Sequence, residues 1–273
     1  MNTVSKIVNI HGHLRADCDV DAMVEQWHSE NVVKYCLAAL PANFRQAGYL
    51  GNEEILPWLK KYPGILAGLG NIDLSETMDP VSNVEALREA GFEGLKFIDP
   101  AYDYCDERYF GYYDAAQRLG MPILFHTGFV MMCSRPEHNI DSGRMRPYCL
   151  DRVAREFPNL KIVAAHLGYP HHAEALTLMA HTERIYCDIT GGGGGKRHMA
   201  SIRSALKPFF EEGAAKQEMM DEIFDKLLFG TDSPPVPVWL ANSLQLMEEF
   251  GVGENSRENF FWRNAARLFG WEL

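Results

Sequence analysis

A chain of 273 residues, 47% hydrophobic and 23% charged, has the length and apolar content of one large globular domain, which excludes disordered and fibrous classes. Its 37 acidic residues outnumber 26 basic ones for a formal net charge of -11, and no stretch gathers basic residues, which argues against a nucleic-acid partner. The opening MNTVSKIVNI lacks the apolar core of a signal peptide, and no window reaches the roughly 18 apolar residues of a membrane span, so a cytoplasmic protein without a membrane partner is expected.

Eight short apolar runs read as buried strands in chain order: KIVNIHGH from Lys6, KYCLAAL from Lys34, ILAGLGNID from Ile65, GLKFID from Gly94, PILFHTG from Pro122, KIVAAHLG from Lys161, IYCDITG from Ile185 and KLLFGTD from Lys226. Their starts lie 24 to 41 residues apart, near the roughly 30 residues of a strand-helix-strand unit. Helical patterns fill the gaps. In DPVSNVEALREAG, Asp79 is the expected N-cap, Pro80 opens the first turn, Val84, Leu87 and Ala90 share a face, and Gly91 stops the helix. In SRENFFWRNAARLFGW, Ser256 is the expected cap, Phe261, Ala265, Leu268 and Phe269 repeat at helical spacing, and Gly270 ends the run. Eight such beats without a linker predict an α/β protein, a (β/α)8 TIM barrel forming a single domain over residues 1–273. The longer gaps, with the insert from Phe129 to Pro147 and the glycine-rich stretch 191–198, are expected as loops walling a pocket.

Six cysteines (Cys18, Cys36, Cys105, Cys133, Cys149 and Cys187) form no CxxC pair, so reduced, partly buried thiols are expected rather than disulfides or a cysteine zinc site. GGGGGKRH matches neither GxxxxGK[ST] nor GxGxxG and reads as a loop, not a phosphate cradle.

Side chains alternate along a strand, so His11 and His13 are predicted on one face of the first strand with Val8 and Ile10 on the other. By the same rule Leu124 shares a face with His126, Ile162 and Ala164 with His166, and Leu228 and Gly230 with Asp232. At the C-terminal ends of strands one, five, six and eight, these residues converge on the barrel mouth. A single strand-end histidine is ordinarily structural. Four histidines and a carboxylate in one place need a shared compensation, and a divalent cation supplies it: one per chain, zinc first, with manganese or iron as substitutes.

Lys96, inward with Gly94 and Ile98, must find an anion or lose its charge. A structural ion pair, an anchor for a substrate carboxylate and a carboxylated lysine bridging two metals are the alternatives. Arg15, following the first strand, is a second candidate clamp for a substrate carboxylate, ahead of Arg144, Arg146 and Arg197, whose loops have no predictable place. Asp188 is expected as a hydrogen-bonded core aspartate or a residue orienting substrate or His166. His171, His172 and His198 are expected on solvated surface.

HGH at 11–13, GLKF at 94–97, MPILFHTG at 121–128, AAHLG at 164–168, LLFGTDSP at 227–234 and NFFWRNAARLFG at 259–270 together carry a resemblance. The chain resembles the amidohydrolase superfamily, in particular the amidohydrolase-related (amidohydrolase 2) branch that holds hydrolases and the decarboxylases of aminocarboxymuconate semialdehyde and resorcylate. The resemblance implies His11, His13, His126 and Asp232 as metal ligands, His166 as a catalytic histidine, and one metal rather than two. Asp232 can in addition accept a proton from water, which makes it catalytic as well as a ligand. The expected activity is metal-dependent hydrolysis of a small, carboxylated lactone, ester or amide, with an anionic small molecule as partner and a homo-oligomer left open. Non-oxidative decarboxylation of an aromatic or unsaturated acid is the first alternative, and hydrolysis is preferred over it because known decarboxylases of the branch tend to be longer. A non-catalytic metal- or ligand-binding barrel is the alternative from another class.

Overall fold

The computed structural model describes residues 4–74, 79–130, 140–191, 195–209, 216–233 and 235–273. All eight expected strands form: β1 (Ile7–Gly12), β2 (Val32–Ala38), β3 (Leu66–Asn71), β4 (Gly94–Phe97), β5 (Ile123–Phe125), β6 (Ile162–Ala164), β7 (Ile185–Asp188) and β8 (Leu227–Leu228). They pair in parallel in chain order. The sheet then closes on itself. Ile10 N–H donates to Phe229 O at 3.0 Å, Asp232 N–H to His11 O at 2.7 Å, and His13 N–H to Asp232 O at 2.8 Å. Around the barrel run α1 (Val20–Ser29), α2 (Asn52–Lys61), α3 (Pro80–Ala90), α4 (Phe110–Arg118), α5 (Cys149–Glu156), α6 (His172–His181), α7 (Lys196–Leu206), α8 (Lys216–Phe224), α9 (Val236–Phe250), α10 (Glu254–Glu258) and α11 (Asn264–Phe269). Among the described residues no helix is long and apolar enough to cross a membrane.

Local signals set the helix ends. Asp79 accepts from Ser82 N–H at 3.3 Å to open α3, and Gly91, at φ 105°, closes it in a conformation that disfavours a side chain. Val84 is buried and Leu87 half-buried, but Ala90 is exposed, so the packed stripe is shorter than the pattern implied. Gly270 ends α11 as expected. Ser256 is not a cap: it is buried within α10, whose N-cap is Gly253, and its hydroxyl donates to Asp221 at 2.5 Å. A π-helical turn at Asn259–Arg263 separates α10 from α11. The Phe260 carbonyl accepts there from Phe229 N–H at 3.1 Å, while Asn264 Nδ2 donates to the carbonyls of Phe224 (2.7 Å) and Leu227 (2.8 Å), so the widened turn and the residue after it anchor the chain around β8.

Apolar side chains form two layers. The larger lies between the sheet and the helices. The smaller fills the lumen with Val8, Ile10, Cys36, Ala38, Ala67, Leu69, Leu124, Val163, Ala165 and Leu228, and Ala265 and Leu268 of α11 join it from the N-terminal end. Trp262, Phe269 and Trp271 pack on this floor, and Trp271 Nε1 donates to Glu93 at 2.7 Å, just before β4. Three expected strand faces are therefore corrected, one of them because Ile98, expected inward beside Lys96, joins the outer layer. Val8 and Ile10 point into the lumen, and a register shift against β2 between Asn9 and Gly12 brings His11 to the same side. Ile162 and Ala164 face the outer layer, and His166 reaches the mouth through a turn with φ 62° and ψ 20° instead of through strand alternation.

Gly12, between the two histidines, points outward, where a Cβ would overlap the ring of Tyr35 stacked 3.9 Å from Trp27. Gly12→Ala is expected to cost about 1–3 kcal/mol from overpacking. Urea unfolding measures it; an unchanged midpoint would mean that Tyr35 yields without resistance.

Candidate metal centre

The mouth of the barrel collects side chains from five strand ends, and hydrogen bonds fix how each is presented. His11 Nδ1 donates to Asp188 Oδ2 at 2.9 Å and His13 Nδ1 to the Ala38 carbonyl at 2.7 Å, which leaves both Nε2 lone pairs turned to the mouth, that of His11 3.2 Å from Lys96 Nζ. These two atoms face each other at 3.1 Å, with Asp232 Oδ1 3.6 Å from the first and 3.5 Å from the second. Across the mouth, Thr190 Oγ1 donates to Asp188 Oδ1 at 2.5 Å and accepts from His166 Nδ1 at 2.9 Å. His166 Nε2 can then accept from His126 Nδ1 at 3.1 Å, and His126 Nε2 is buried without a hydrogen-bond partner. The network thus leaves lone pairs on His11 and His13 beside a carboxylate, and a further one on His126, the neighbour of His166.

Lone pairs 3.1–3.6 Å apart repel unless a cation or proton lies among them, and the Lys96 ammonium meets that of His11 from one side. A tetrahedral ion with bonds of about 2.0–2.1 Å spaces its ligand atoms about 3.3–3.4 Å apart, so the donor set and its spacing fit a divalent cation. Ligand atoms of His11, His166 and Asp232 also lie within 4.8 Å of one another, so His166 borders the same volume. Protons do not fill the gap readily. Burial and then His11 push His13 down to about 3, burial pushes His166 down to about 4, and burial and then His166 hold His126 well below the usual imidazole range. Burial would raise the Asp232 carboxyl, but His166, His11, His13 and Lys96 together hold it below its ordinary value.

Backbone geometry at this centre is unusual. His166 (φ 62°), Leu167 (φ 45°) and Asp232 (φ 61°) all take the left-handed conformation, which costs non-glycine residues about 1–3 kcal/mol each. Asp188, fully buried, holds the centre together: besides His11 and Thr190 Oγ1 it accepts from the backbone N–H of His166 (3.0 Å) and of Thr190 (2.9 Å). It is a core aspartate, as expected, and it orients His11. Thr190 and the Ala38 carbonyl had no sequence signal; a threonine two residues after a strand-end aspartate is the only trace either left.

Lys96 is fully buried, with Nζ 3.2 Å from His11 Nε2. Among the described residues no carboxylate lies within 4.0 Å of it, so the structural ion pair does not form; the nearest group is an imidazole because β4 aims the lysine across the lumen at β1. Burial pushes it down to about 8, against the pull of Asp232 and Asp188. Arg15 is exposed, bonded to Asp17 at 3.3 Å and over the ring of Tyr49, which itself lies edge-on to His13 at 5.8 Å. Arg144 pairs with Asp141 and Arg146 with Glu174, while Arg197 is exposed at the start of α7. Residues 131–139 of the long insert, including Cys133, and 192–194 of the glycine run lie outside the described residues.

His172 and His198 are buried, contrary to expectation, because each ring finds polar partners inside. His172 Nδ1 donates to Leu167 O and Nε2 accepts from Ser201 Oγ, both at 2.8 Å, and His198 Nε2 donates to Ile189 O at 3.2 Å. Burial lowers His172 from its ordinary 6.5. The unfolded chain therefore binds this proton more readily, and the ring's contribution to stability is full above about pH 6.5 and drains as pH falls. His172→Gln is expected to flatten the fall in urea midpoint on acidification; an unaltered pH slope would show that the ring stays neutral for another reason.

A family model described as Amidohydrolase matches residues 43–271. The chain belongs to the amidohydrolase family. The matched stretch of this amidohydrolase contains Lys96, His126, His166, Asp188 and Asp232, while His11 and His13 precede it. No curated protein matches it in sequence. Among solved structures the amidohydrolase is similar to 2,6-dihydroxybenzoate decarboxylase from Rhizobium, with 16% identity, TM-score 0.66 and coverage of 98% of this chain and 99% of that one. It is similar also to a probable 2-pyrone-4,6-dicarboxylic acid hydrolase from Acinetobacter baumannii with citric acid bound (14%, 0.61, 99% and 100%). A third is 5-carboxyvanillate decarboxylase from Novosphingobium aromaticivorans, complexed with manganese and 4-hydroxy-3-methoxy-5-nitrobenzoic acid (14%, 0.59, 92% and 80%). At these identities the likeness shows the fold.

Proposed function

We propose that this amidohydrolase is a metal-dependent hydrolase of a small, carboxylated lactone, ester or amide. The observation that carries the reading is the set of lone pairs turned inward on His11 and His13 beside the Asp232 carboxylate, with the unpartnered Nε2 of His126 as a third imidazole; together these residues would hold one divalent ion. Zinc suits three imidazoles and a carboxylate best, with manganese next and iron third. When bound, such an ion polarises a substrate oxygen and lowers the pKa of water. Asp232, its side chain 28% exposed toward the mouth, accepts the proton of the attacking water. His166, held by Thr190, takes that proton from Asp232 on its Nε2 lone pair and relays it to the leaving group. Lys96 from below and Arg15 from the rim hold a substrate carboxylate. The three similar structures are all named for, or bound to, carboxylic acids, which supports an anionic substrate.

Decarboxylation is the second reading, favoured by Lys96: a buried cation beside His11 can hold a carboxyl group where it departs or protonate the carbon left behind. Chain length does not separate the two, since this chain covers 99% of the Rhizobium decarboxylase. The test is metal analysis of the purified protein, followed by a screen of lactones, amides and hydroxybenzoate-type acids with carbon dioxide release monitored. One ion per chain at the histidine centre and hydrolysis without carbon dioxide are expected. Carbon dioxide release selects the second reading, a second ion that is lost in Lys96→Met revives a carboxylated Lys96, and no ion after reconstitution ends both.

Lys96→Met and Arg15→Met are expected to raise KM for the acid while leaving metal content near normal. Wild-type enzyme that handles the acid and its methyl ester equally well would remove this role from both residues.

A further inference from the structure

Outside the histidine centre, the loop after β4 and the first residue of α5 bring three further metal-binding side chains together. Ligand atoms of Asp103, Cys105 and Cys149 all lie within 4.8 Å of one another. Both cysteines are free, half-buried thiols, and Asp103 is exposed. We propose that Asp103, Cys105 and Cys149 form a second cation site, for a thiophilic divalent ion such as zinc(II), with solvent completing its ligands.

The donor types select the ion. Two thiolates and one carboxylate are poor ligands for magnesium or calcium and good ones for zinc-class ions, whose sulfur ligands sit about 3.8 Å apart at a bond length of about 2.3 Å. The framework is fixed in advance. Between Asp103 and Cys105, the fully buried Tyr104 hydroxyl donates to the carbonyls of Phe97 (3.2 Å) and His126 (3.0 Å), and its own carbonyl accepts from Tyr113 at 2.7 Å. The Cys105 carbonyl accepts from Arg152 Nη1 at 3.3 Å, and Arg152 belongs to the same helix that Cys149 begins. Little ordering is left for the ion to impose. Once bound, it clamps the β4–α4 loop to α5 and steadies Tyr104 beneath the His126 backbone. No CxxC spacing announces the site because its thiols come from two different strand-to-helix connections.

The test uses the full chain stripped of metal, kept under a phosphine reductant and titrated with cobalt(II). Sulfur-to-cobalt charge-transfer absorption reports thiolate ligands, and imidazole and carboxylate ligands do not produce it. The wild type is expected to show the band, His11→Ala to keep it, Asp103→Asn to show it only at higher cobalt, and Cys105→Ser and Cys149→Ser to lose it with circular dichroism unchanged. Should either serine variant fail to fold, the Asp103→Asn shift still decides. A folded wild type without the band, or a band that survives in the double serine variant, overturns the site.

Discussion

His11→Ala is expected to release the divalent ion and abolish turnover together, because the imidazole supplies one of the inward lone pairs and its loss leaves His13 facing an empty volume. Asp188→Asn is the informative companion. The carboxylate accepts hydrogen bonds from His11, His166 and Thr190, and an amide in its place turns an N–H toward groups that need an acceptor. Affinity for the ion should fall about 10- to 100-fold, the usual effect of losing a carboxylate behind a ligating histidine. Elemental analysis after dialysis against a chelator measures both. A His11→Ala protein that keeps a full complement of metal would remove His11 from the ligand set.

The second large effect separates His126 from His166. His126 Nε2 is the buried atom without a partner, whereas His166 Nε2 is opposed by His126 Nδ1. His126→Asn is therefore expected to lose metal. His166→Asn should keep it and lose turnover by about 10²- to 10⁴-fold, as for a positioned general acid or base. Because His166 also lies within 4.8 Å of His11 and Asp232, the opposite pattern is a physical alternative: metal-free His166→Asn with metal-replete His126→Asn exchanges the two roles. Retention of metal and activity in both variants excludes both residues.

Apolar runs bounded by turn residues and spaced near one strand-helix unit made the barrel legible, since burial of both faces of a parallel strand leaves a strong pattern. The convergence of His11, His13, His126, His166 and Asp232 followed from their common position at strand ends. The path of the backbone there did not. Alternation holds only while a strand is regular, and β1 shifts register at Asn9 to Gly12 while Ala165–Gly168 turns left-handed at His166. Of the partners of the histidines only Asp188 was legible, from its inward place on the seventh strand; Thr190 and the Ala38 carbonyl were silent, because they meet the rings across strands whose neighbours are set by closure. His172 and His198 look polar in sequence and are buried because a carbonyl awaits each ring.

The floor built by Ala265, Leu268 and the aromatic residues around them has an electrical consequence. Dissolved ions screen charges over about 8 Å at physiological ionic strength, but only where electrolyte can enter. With the far end of the barrel plugged by hydrocarbon, mobile counterions reach Lys96, His11 and Asp188 from the mouth alone. Added salt should therefore weaken the exposed Arg15–Asp17 pair and the capture of an anionic substrate at the rim, while the field inside the lumen stays nearly constant. An enzyme built this way shows its ionic-strength dependence in substrate capture and keeps its chemical step almost indifferent to the electrolyte around it.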